Sequence, residues 1–387
     1  MAVITRYFPT SPEPWAGHSS YQTLRIMAQH CDVKVFYPES VYPSWLTPRS
    51  RAGRRIDFQH RVDGVAVDYI AYPALPAISR PFNGRSAARS ILSRVREYQP
   101  DILLSYVIYP DGDAAMRVAR ALKIPFVVTA IGSDLNMIPP SCEGLTRRVL
   151  READFTITVS GDLLGTARRL DAPAERSQAV LNGCDTTVFY PRDRQQARAS
   201  LGIPQDAEAI VYVGRLDMAK GLQELLTAVS ALRAHRPKLH TWIIGDGTAR
   251  QALMDLIAQL NLADQVTLTP SCPTERVAEW MAASNLVTLP SYREGCPNVV
   301  IEALASGRPV VATRVGGIPE LMDDRSGRLI PAKDAEALAK GLDEVLTERW
   351  DAEVIATRHA RSWDDVSRDV EKILETALQW SKKSLRR

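Results

Sequence analysis

The stretch Ser291-Tyr-Arg-Glu-Gly-Cys-Pro-Asn-Val-Val-Ile-Glu-Ala-Leu-Ala-Ser-Gly-Arg-Pro-Val-Val-Ala-Thr313 decides the architecture. An apolar run from Asn285 to Pro290 precedes it and reads as a buried strand ending in a proline. Pro297 suits the first turn of a helix, Asn298 to Ser306 continue it, and Gly307 stops it. Pro309 to Thr313 then forms a second buried strand. A strand–loop–helix–strand unit places ligands where the strand ends and the helix begins.

The loop has a mixed chemistry. Gly295 lets a backbone come close to a ligand, and free N–H groups at the helix start attract phosphate. Glu294 and Glu302 flank the same spot. Carboxylates beside a phosphate site make sense as acceptors for hydroxyl groups. A nucleotide sugar, with a diphosphate between two hydroxyl-rich groups, fits both demands. The alternative is that the two glutamates are helix-terminus or solvent-facing charges.

Working outward, Ile210 to Val213 reads as a buried strand running into Gly214-Arg215, and Lys220-Gly221 opens the next helix. Cations at a strand end and a helix start suit a diphosphate. Thr241 to Gly245 is a further strand ending in Gly245-Asp-Gly247, glycines that admit backbone approach. Val266 to Thr269 follows as a strand, and Ala335 to Leu346 and Trp363 to Trp380 as helices. The closing Lys382, Lys383, Arg386 and Arg387 read as a frayed, solvated tail. The first half shows the same alternation of strands and helices from Ala2–Ile4 to Phe155–Ser160, which implies a parallel, doubly wound sheet. Asp111-Gly-Asp113 falls where a helix starts and reads as capping. Arg147, Arg148 and Arg151 lie on a short basic helix, candidates for phosphate contact. Arg49, Arg51, Arg54, Arg55 and Arg61, with Trp45, form a basic cluster. It reads either as a solvated loop or as a patch for an anionic acceptor or a lipid face.

The 387 residues suffice for two domains, and 45% hydrophobic with 24% charged residues is ordinary globular composition. The net charge of +3 gives no argument for nucleic acid. Up to Asp185 there are 22 basic and 18 acidic residues; beyond it there are 26 and 27. No apolar run reaches the ~18 residues of a membrane-spanning helix, and the start does not read as a signal peptide. Cys31, Cys142, Cys184, Cys272 and Cys296 are odd in number and widely spaced, as expected of reduced cytoplasmic thiols without a zinc cluster.

Glu294 and Glu302 in their setting of Pro290-Ser-x-x-Glu-Gly-x-Pro-Asn-Val-Val-x-Glu-Ala-Leu-Ala-x-Gly-x-Pro-Val-Val-Ala-Thr313 resemble the signature of the family 4 glycosyltransferases. Gly316-Gly-Ile-Pro-Glu320 and Gly214-Arg-Leu-Asp-Met-Ala-Lys-Gly221 are similar to two further motifs of that family, and Asn182-Gly-Cys-Asp-Thr-Thr-Val-Phe-Tyr-Pro191 to its interdomain link. The match is dense from Asn182 to about Ala332 and thinner before. The resemblance implies an α/β GT-B architecture, two doubly wound, Rossmann-like domains facing across a cleft. The expected divisions are 1–187 for the acceptor, 188–362 for the nucleotide sugar, and 363–387 as a helix crossing back to the first domain.

It further implies a retaining, hexosyltransferase-type glycosyltransferase of polysaccharide or glycoconjugate biosynthesis, working without a metal or other cofactor. Its partners would be a nucleoside-diphosphate sugar and a glycan or lipid-linked acceptor. Its place would be cytoplasmic, with peripheral contact at the inner membrane face. Arg215 and Lys220 would stabilise the leaving diphosphate, Glu294 would hold the transferred sugar and Glu302 the ribose diol. Gly295, Pro297 and the amides of Asn298 and Val299 would border phosphate, with Gly17 and Gly245 lining the donor.

Three positions depart from the family pattern. Ala16-Gly17 stands for a Gly-Gly loop, with His18 beside it a polar loop residue or a proton-transfer group. Ile131 stands where a histidine is usual, leaving Asp134 to orient substrate hydroxyls. Ser271 replaces a glycine near the base. A sugar-nucleotide epimerase of the same fold and a degenerate binding subunit are the alternatives.

Overall fold

Continuous apolar runs mark strands covered on both faces, and two parallel sheets are built from them. The computed structural model describes residues 1–47 and 56–384, without the side chains of 382–384. These fall into two units, one from Met1–Leu181 with the chain end from Trp363, the other from Asn182–Ser362.

In the first unit the strands are β1 (Ala2–Ile4), β2 (Lys34–Val41), β3 (Ala66–Pro73), β4 (Leu103–Tyr106), β5 (Phe126–Ala130), β6 (Phe155–Thr158) and β7 (Ser177–Ala179). Their order is β3-β2-β1-β4-β5-β6-β7, with every pairing parallel. The order reverses between β1 and β4, which opens a crevice at their carboxyl ends. The closing helix, Trp363–Ser384, belongs to this unit. Trp363, Val366, Val370, Ile373, Leu374 and Ala377 recur at helical spacing and pack into the core with Leu24, Met27, Val127 and Ile157. Its backbone continues through Lys382 and Lys383, in place of the expected frayed tail. Arg386 and Arg387 lie outside the described residues.

The second unit holds β8 (Glu208–Val213), β9 (Leu239–Ile244), β10 (Val266–Thr269), β11 (Leu286–Leu289), β12 (Val310–Thr313) and β13 (Gly327–Ile330). They run parallel in the order β10-β9-β8-β11-β12-β13, so this sheet reverses between β8 and β11. The helix after β11 spans Asn298–Ala305, with Pro297 just before it instead of in its first turn. Gly307 stops it at φ +68, a left-handed turn, where a Cβ would lie 2.5 Å from the Ala352 carbonyl oxygen. The outer strands β7 and β13 are short; Ser-Gln-Ala has no apolar run for a sequence reading to find.

No helix among the described residues is long and apolar enough to cross a membrane. The five cysteines are free.

Candidate functional site

The second sheet's reversal point gathers the charged residues. β8 delivers Gly214-Arg215, β11 delivers Ser291 to Pro297, and the short turn Met218–Lys220 follows β8. Asp217 accepts a hydrogen bond from the Ala219 amide at 2.9 Å, shaping that turn. The Tyr292 amide donates to the Ala219 carbonyl at 2.9 Å, and the Tyr292 hydroxyl to Glu224 at 2.7 Å. Gly221, at φ +67, runs so close to the end of β11 that a Cβ would meet the Pro290 carbonyl at 2.0 Å.

This bracing puts Lys220 Nζ 2.6 Å from Glu294 Oε1. The pair is largely covered, with Lys220 23% and Glu294 11% exposed. Arg215 is exposed, and no described residue hydrogen-bonds or pairs with its guanidinium. The Tyr212 hydroxyl donates to the Arg215 carbonyl at 3.0 Å, and burial pushes that phenol up, with Glu294 adding to the effect and Arg215 opposing it.

Glu294 and Gly295 are held from behind by the Gly-Gly motif. Gly317 donates its amide to the Gly295 carbonyl at 2.9 Å. Gly316 is left-handed at φ +53, and a Cβ there would lie 1.9 Å from the Glu294 carbonyl oxygen. From the other side, Asn182 donates through Nδ2 to the Cys296 carbonyl at 3.1 Å and to Asn298 Oδ1 at 2.9 Å. Asn182 was legible as part of a linker motif but not as a brace for this loop. The amides of Asn298 and Val299 begin the helix and have no carbonyl one turn back to bond. Val300 already bonds to Pro297 at 3.2 Å.

Glu302 lies one turn along this helix, on the face of Asn298. Its side chain keeps a partial opening to solvent but is deeply ringed by protein, and burial pushes its carboxyl from 4.5 up to about 7. No described residue hydrogen-bonds or pairs with that carboxyl. A carboxylate kept this way is ready to accept hydroxyl groups from outside the protein.

At Gly245 the two neighbouring strand ends come close. A Cβ at Gly245 would be 1.9 Å from the Gly214 carbonyl, and one at Gly247 2.2 Å from that of Leu216. What these glycines admit is the neighbouring strand-end loop. At Ser271 the amide is satisfied by Asp246 at 3.4 Å.

Gly17 and Asp134 belong to the first unit. Gly17 is left-handed at φ +63 at the start of the helix His18–Met27, and its Cβ would strike the Tyr7 carbonyl at 2.3 Å. His18 makes an edge contact with Trp363 at 6.0 Å. Ile131 packs against the core. Asp134 spends both carboxylate oxygens on backbone: Oδ2 accepts from Ile108 at 3.0 Å, and Oδ1 from Ile131 at 3.1 Å and Gly132 at 2.9 Å. It ties the β4 and β5 loops together.

The acidic pair is not a cap either, since no side chain caps the helix Asp113–Leu122. Asp111 accepts the Arg6 amide at 2.6 Å and pairs with Arg6 Nε at 3.4 Å, while Asp113 pairs with Arg117 at 2.8 Å. Both carboxylates are buried and follow β4, and arginines claim them. Arg147, Arg148 and Arg151 pair with Glu143, Glu152 and Asp171 at 3.1, 3.0 and 4.0 Å. Arg49, Arg51, Arg54 and Arg55 lie outside the described residues.

Both parts of the chain are similar to known proteins. Residues 193–364 match the family model "Glycosyl transferases group 1", and residues 21–183 match "Glycosyl transferase 4-like domain". A Bacillus subtilis protein named "Putative teichuronic acid biosynthesis glycosyltransferase TuaC" is 30% identical over 365 residues, 91% of this chain and 90% of its own. The chain belongs to the GT-B glycosyltransferases of the group 1 and family 4 type. A D-inositol 3-phosphate glycosyltransferase of Streptomyces scabiei is 34% identical over 56% of this chain and 52% of its own. Among solved structures, sucrose-phosphate synthase from Thermosynechococcus elongatus superposes with a TM-score of 0.76 at 20% identity, covering 97% of this chain and 98% of that one. HepE from Anabaena, solved in complex with UDP, has a TM-score of 0.74 at 16% identity over 97% and 100% of the two chains. At such identities these structures speak for the GT-B fold.

Proposed function

We propose that this glycosyltransferase takes its sugar from a nucleoside diphosphate held at the reversal point between β8 and β11. The reading is supported by one observation above others: unpaired Arg215, the Lys220–Glu294 pair and the open amides of Asn298 and Val299 all follow β8 or β11, the two strands at which the second sheet reverses. Arg215 and Lys220 take the diphosphate, Glu294 the hydroxyls of the sugar, and Glu302 the ribose diol. The UDP of the HepE complex is of the class such a site would hold.

In the transfer, the acceptor hydroxyl oxygen forms a bond to the anomeric carbon as the bond from that carbon to the diphosphate oxygen breaks. The electron pair leaves on the diphosphate, and the hydroxyl proton passes to the departing phosphate oxygen. Arg215 and Lys220 stabilise that charge in place, the part a divalent cation would otherwise play. Attack from the leaving-group face gives retention and asks for no histidine, in keeping with Ile131. The acceptor is a glycan or lipid-linked sugar of polysaccharide assembly, as the name of the Bacillus relative suggests.

The test is release of nucleoside diphosphate from UDP-, GDP-, ADP- and TDP-sugars, with and without a glycolipid acceptor extract, with product anomers read by NMR. Acceptor-dependent release with a retained anomer is expected. Epimerised donor without release, or an inverted product, would overturn it.

A further inference from the structure

A guanidinium keeps its charge when buried, so it needs a carboxylate beside it or an anion from outside the chain. The second unit buries Arg198 to 4% and Arg308 to 3% exposure, and half-buries Arg194. Arg194 and Arg198 lie one turn apart on the helix Arg194–Leu201, and Arg308 comes just before β12.

The fold brings them together. Arg198 is held by neutral acceptors: Nε donates to the Ala283 carbonyl at 2.9 Å, Nη1 to that of Gln205 at 2.6 Å and Nη2 to Asn285 Oδ1 at 2.7 Å. Asn285 stands just before β11, and the register Val287↔Val310, carried back along both strands, sets Arg308 beside it. Arg308 donates Nη2 to the Arg192 carbonyl at 3.2 Å, close to where the helix carrying Arg194 begins.

The charge is not balanced. None of Arg194, Arg198 and Arg308 makes an ion pair among the described residues. Of the acids close in sequence, Asp193 caps the helix by accepting the Gln196 amide at 2.8 Å. Asp206, whose charge reaches Arg198, is exposed and pairs with Lys238 at 3.0 Å. The Nε atoms of Arg194 and Arg308 are buried and have no acceptor. Burial, and after it the charges of Arg194 and Arg198, push Arg308 down to about 9, so it still holds its proton at neutral pH. Clustered like charges with orphaned donors suit a dianion that accepts several N–H bonds, and the guanidinium fork matches a pair of phosphate oxygens.

This place is separate from the donor crevice. Asn285 and Arg308 stand at the amino ends of β11 and β12, whereas Ser291 to Pro297 leave from the carboxyl end of β11. The length of β11 between them is about 13 Å, at ~3.3 Å per residue.

We propose that Arg194 and Arg308, with the charge of Arg198, form a second anion site that takes a phosphate dianion, free or as the end of a small phosphomonoester. Arg308 and Arg194 donate to its oxygens, and half-buried Arg194 marks the side open to solvent. The site goes beyond the donor reading and does not depend on it.

Calorimetry on the full-length protein at fixed ionic strength titrates inorganic phosphate and methyl phosphate, with chloride as control, each with and without saturating UDP. With UDP filling the donor crevice, phosphate should still bind, and at least about tenfold more tightly than chloride. Arg308→Gln and Arg194→Gln should each weaken it about tenfold or more, and change UDP affinity less than about twofold. Arg194 makes no side-chain bond among the described residues, so its variant serves where Arg308→Gln does not fold; circular dichroism checks both. Tighter methyl phosphate would identify the phosphomonoester and tighter inorganic phosphate the free ion, and either upholds the site. Equal binding of chloride would overturn the phosphoryl class. Phosphate binding that is absent, that saturating UDP abolishes, or that a folded Arg194→Gln protein retains at wild-type strength would overturn the site. UDP that fails to bind would count against the donor reading alone.

Discussion

Glu302 lets the site be tested through its own titration. A carboxyl held at about 7 in the folded chain against 4.5 ordinarily costs nothing below pH 4.5. The cost grows as pH rises between the two values and is complete above about 7. The shift corresponds to about 3 kcal/mol, and the partial opening to solvent reduces this to about 1–3 kcal/mol. Glu302→Gln removes the charge and keeps the shape. The variant should therefore be more stable than wild type by about 1–3 kcal/mol at pH 8, and by well under 1 kcal/mol at pH 5. Hydrogen exchange of the β8 and β11 amides reads this for the second unit alone, where whole-chain unfolding would mix two units. The same charge should favour a ribose diol, so wild-type affinity for a bound nucleotide rises up to about tenfold from pH 6 to pH 8 relative to the variant. The variant shares the nucleotide's own titration, which cancels. A Glu302→Gln variant no more stable than wild type at pH 8, with the same pH profile for nucleotide, would refute the reasoning.

Two further substitutions separate bracing from chemistry. Gly316→Ala must place a Cβ against the Glu294 carbonyl and hold alanine in a left-handed turn; a loss of about 2–4 kcal/mol is expected, with weakened donor binding, by denaturant melts and calorimetry. Asp134→Ala strands three backbone amides and should lower stability by on the order of 3 kcal/mol, seen as a fall in Tm of several degrees. If Asp134 instead orients substrate, Tm will hold while turnover collapses.

The local grammar of the chain carried the fold far. Apolar runs bounded by proline and glycine marked β8, β9, β11 and β12 and the helix after β11, because buried parallel strands need little else. The cations and glutamates of the second unit were legible for the same reason: they cluster where strands end and helices begin. What sequence could not show is which distant group claims a side chain. Asp111 and Arg6 lie 105 positions apart, and Asp134 and Ile108 lie 26 apart. Their pairing follows from β1, β4 and β5 lying side by side, which no local spacing records. The same holds for Gly245, whose required neighbour, Gly214, belongs to the adjacent strand end.

The most direct test of the donor site is nucleoside-diphosphate affinity in Arg215→Ala, because Arg215 is exposed and unpaired among the described residues, and its loss leaves no partner stranded there. Removing one charge-assisted contact of about 1.5–3 kcal/mol should weaken binding by roughly ten- to a hundredfold, with Tm unchanged. Lys220→Ala should weaken it comparably, with some cost in stability from unpaired Glu294. Wild-type affinity in a folded Arg215→Ala protein would contradict the assignment of the diphosphate to this crevice.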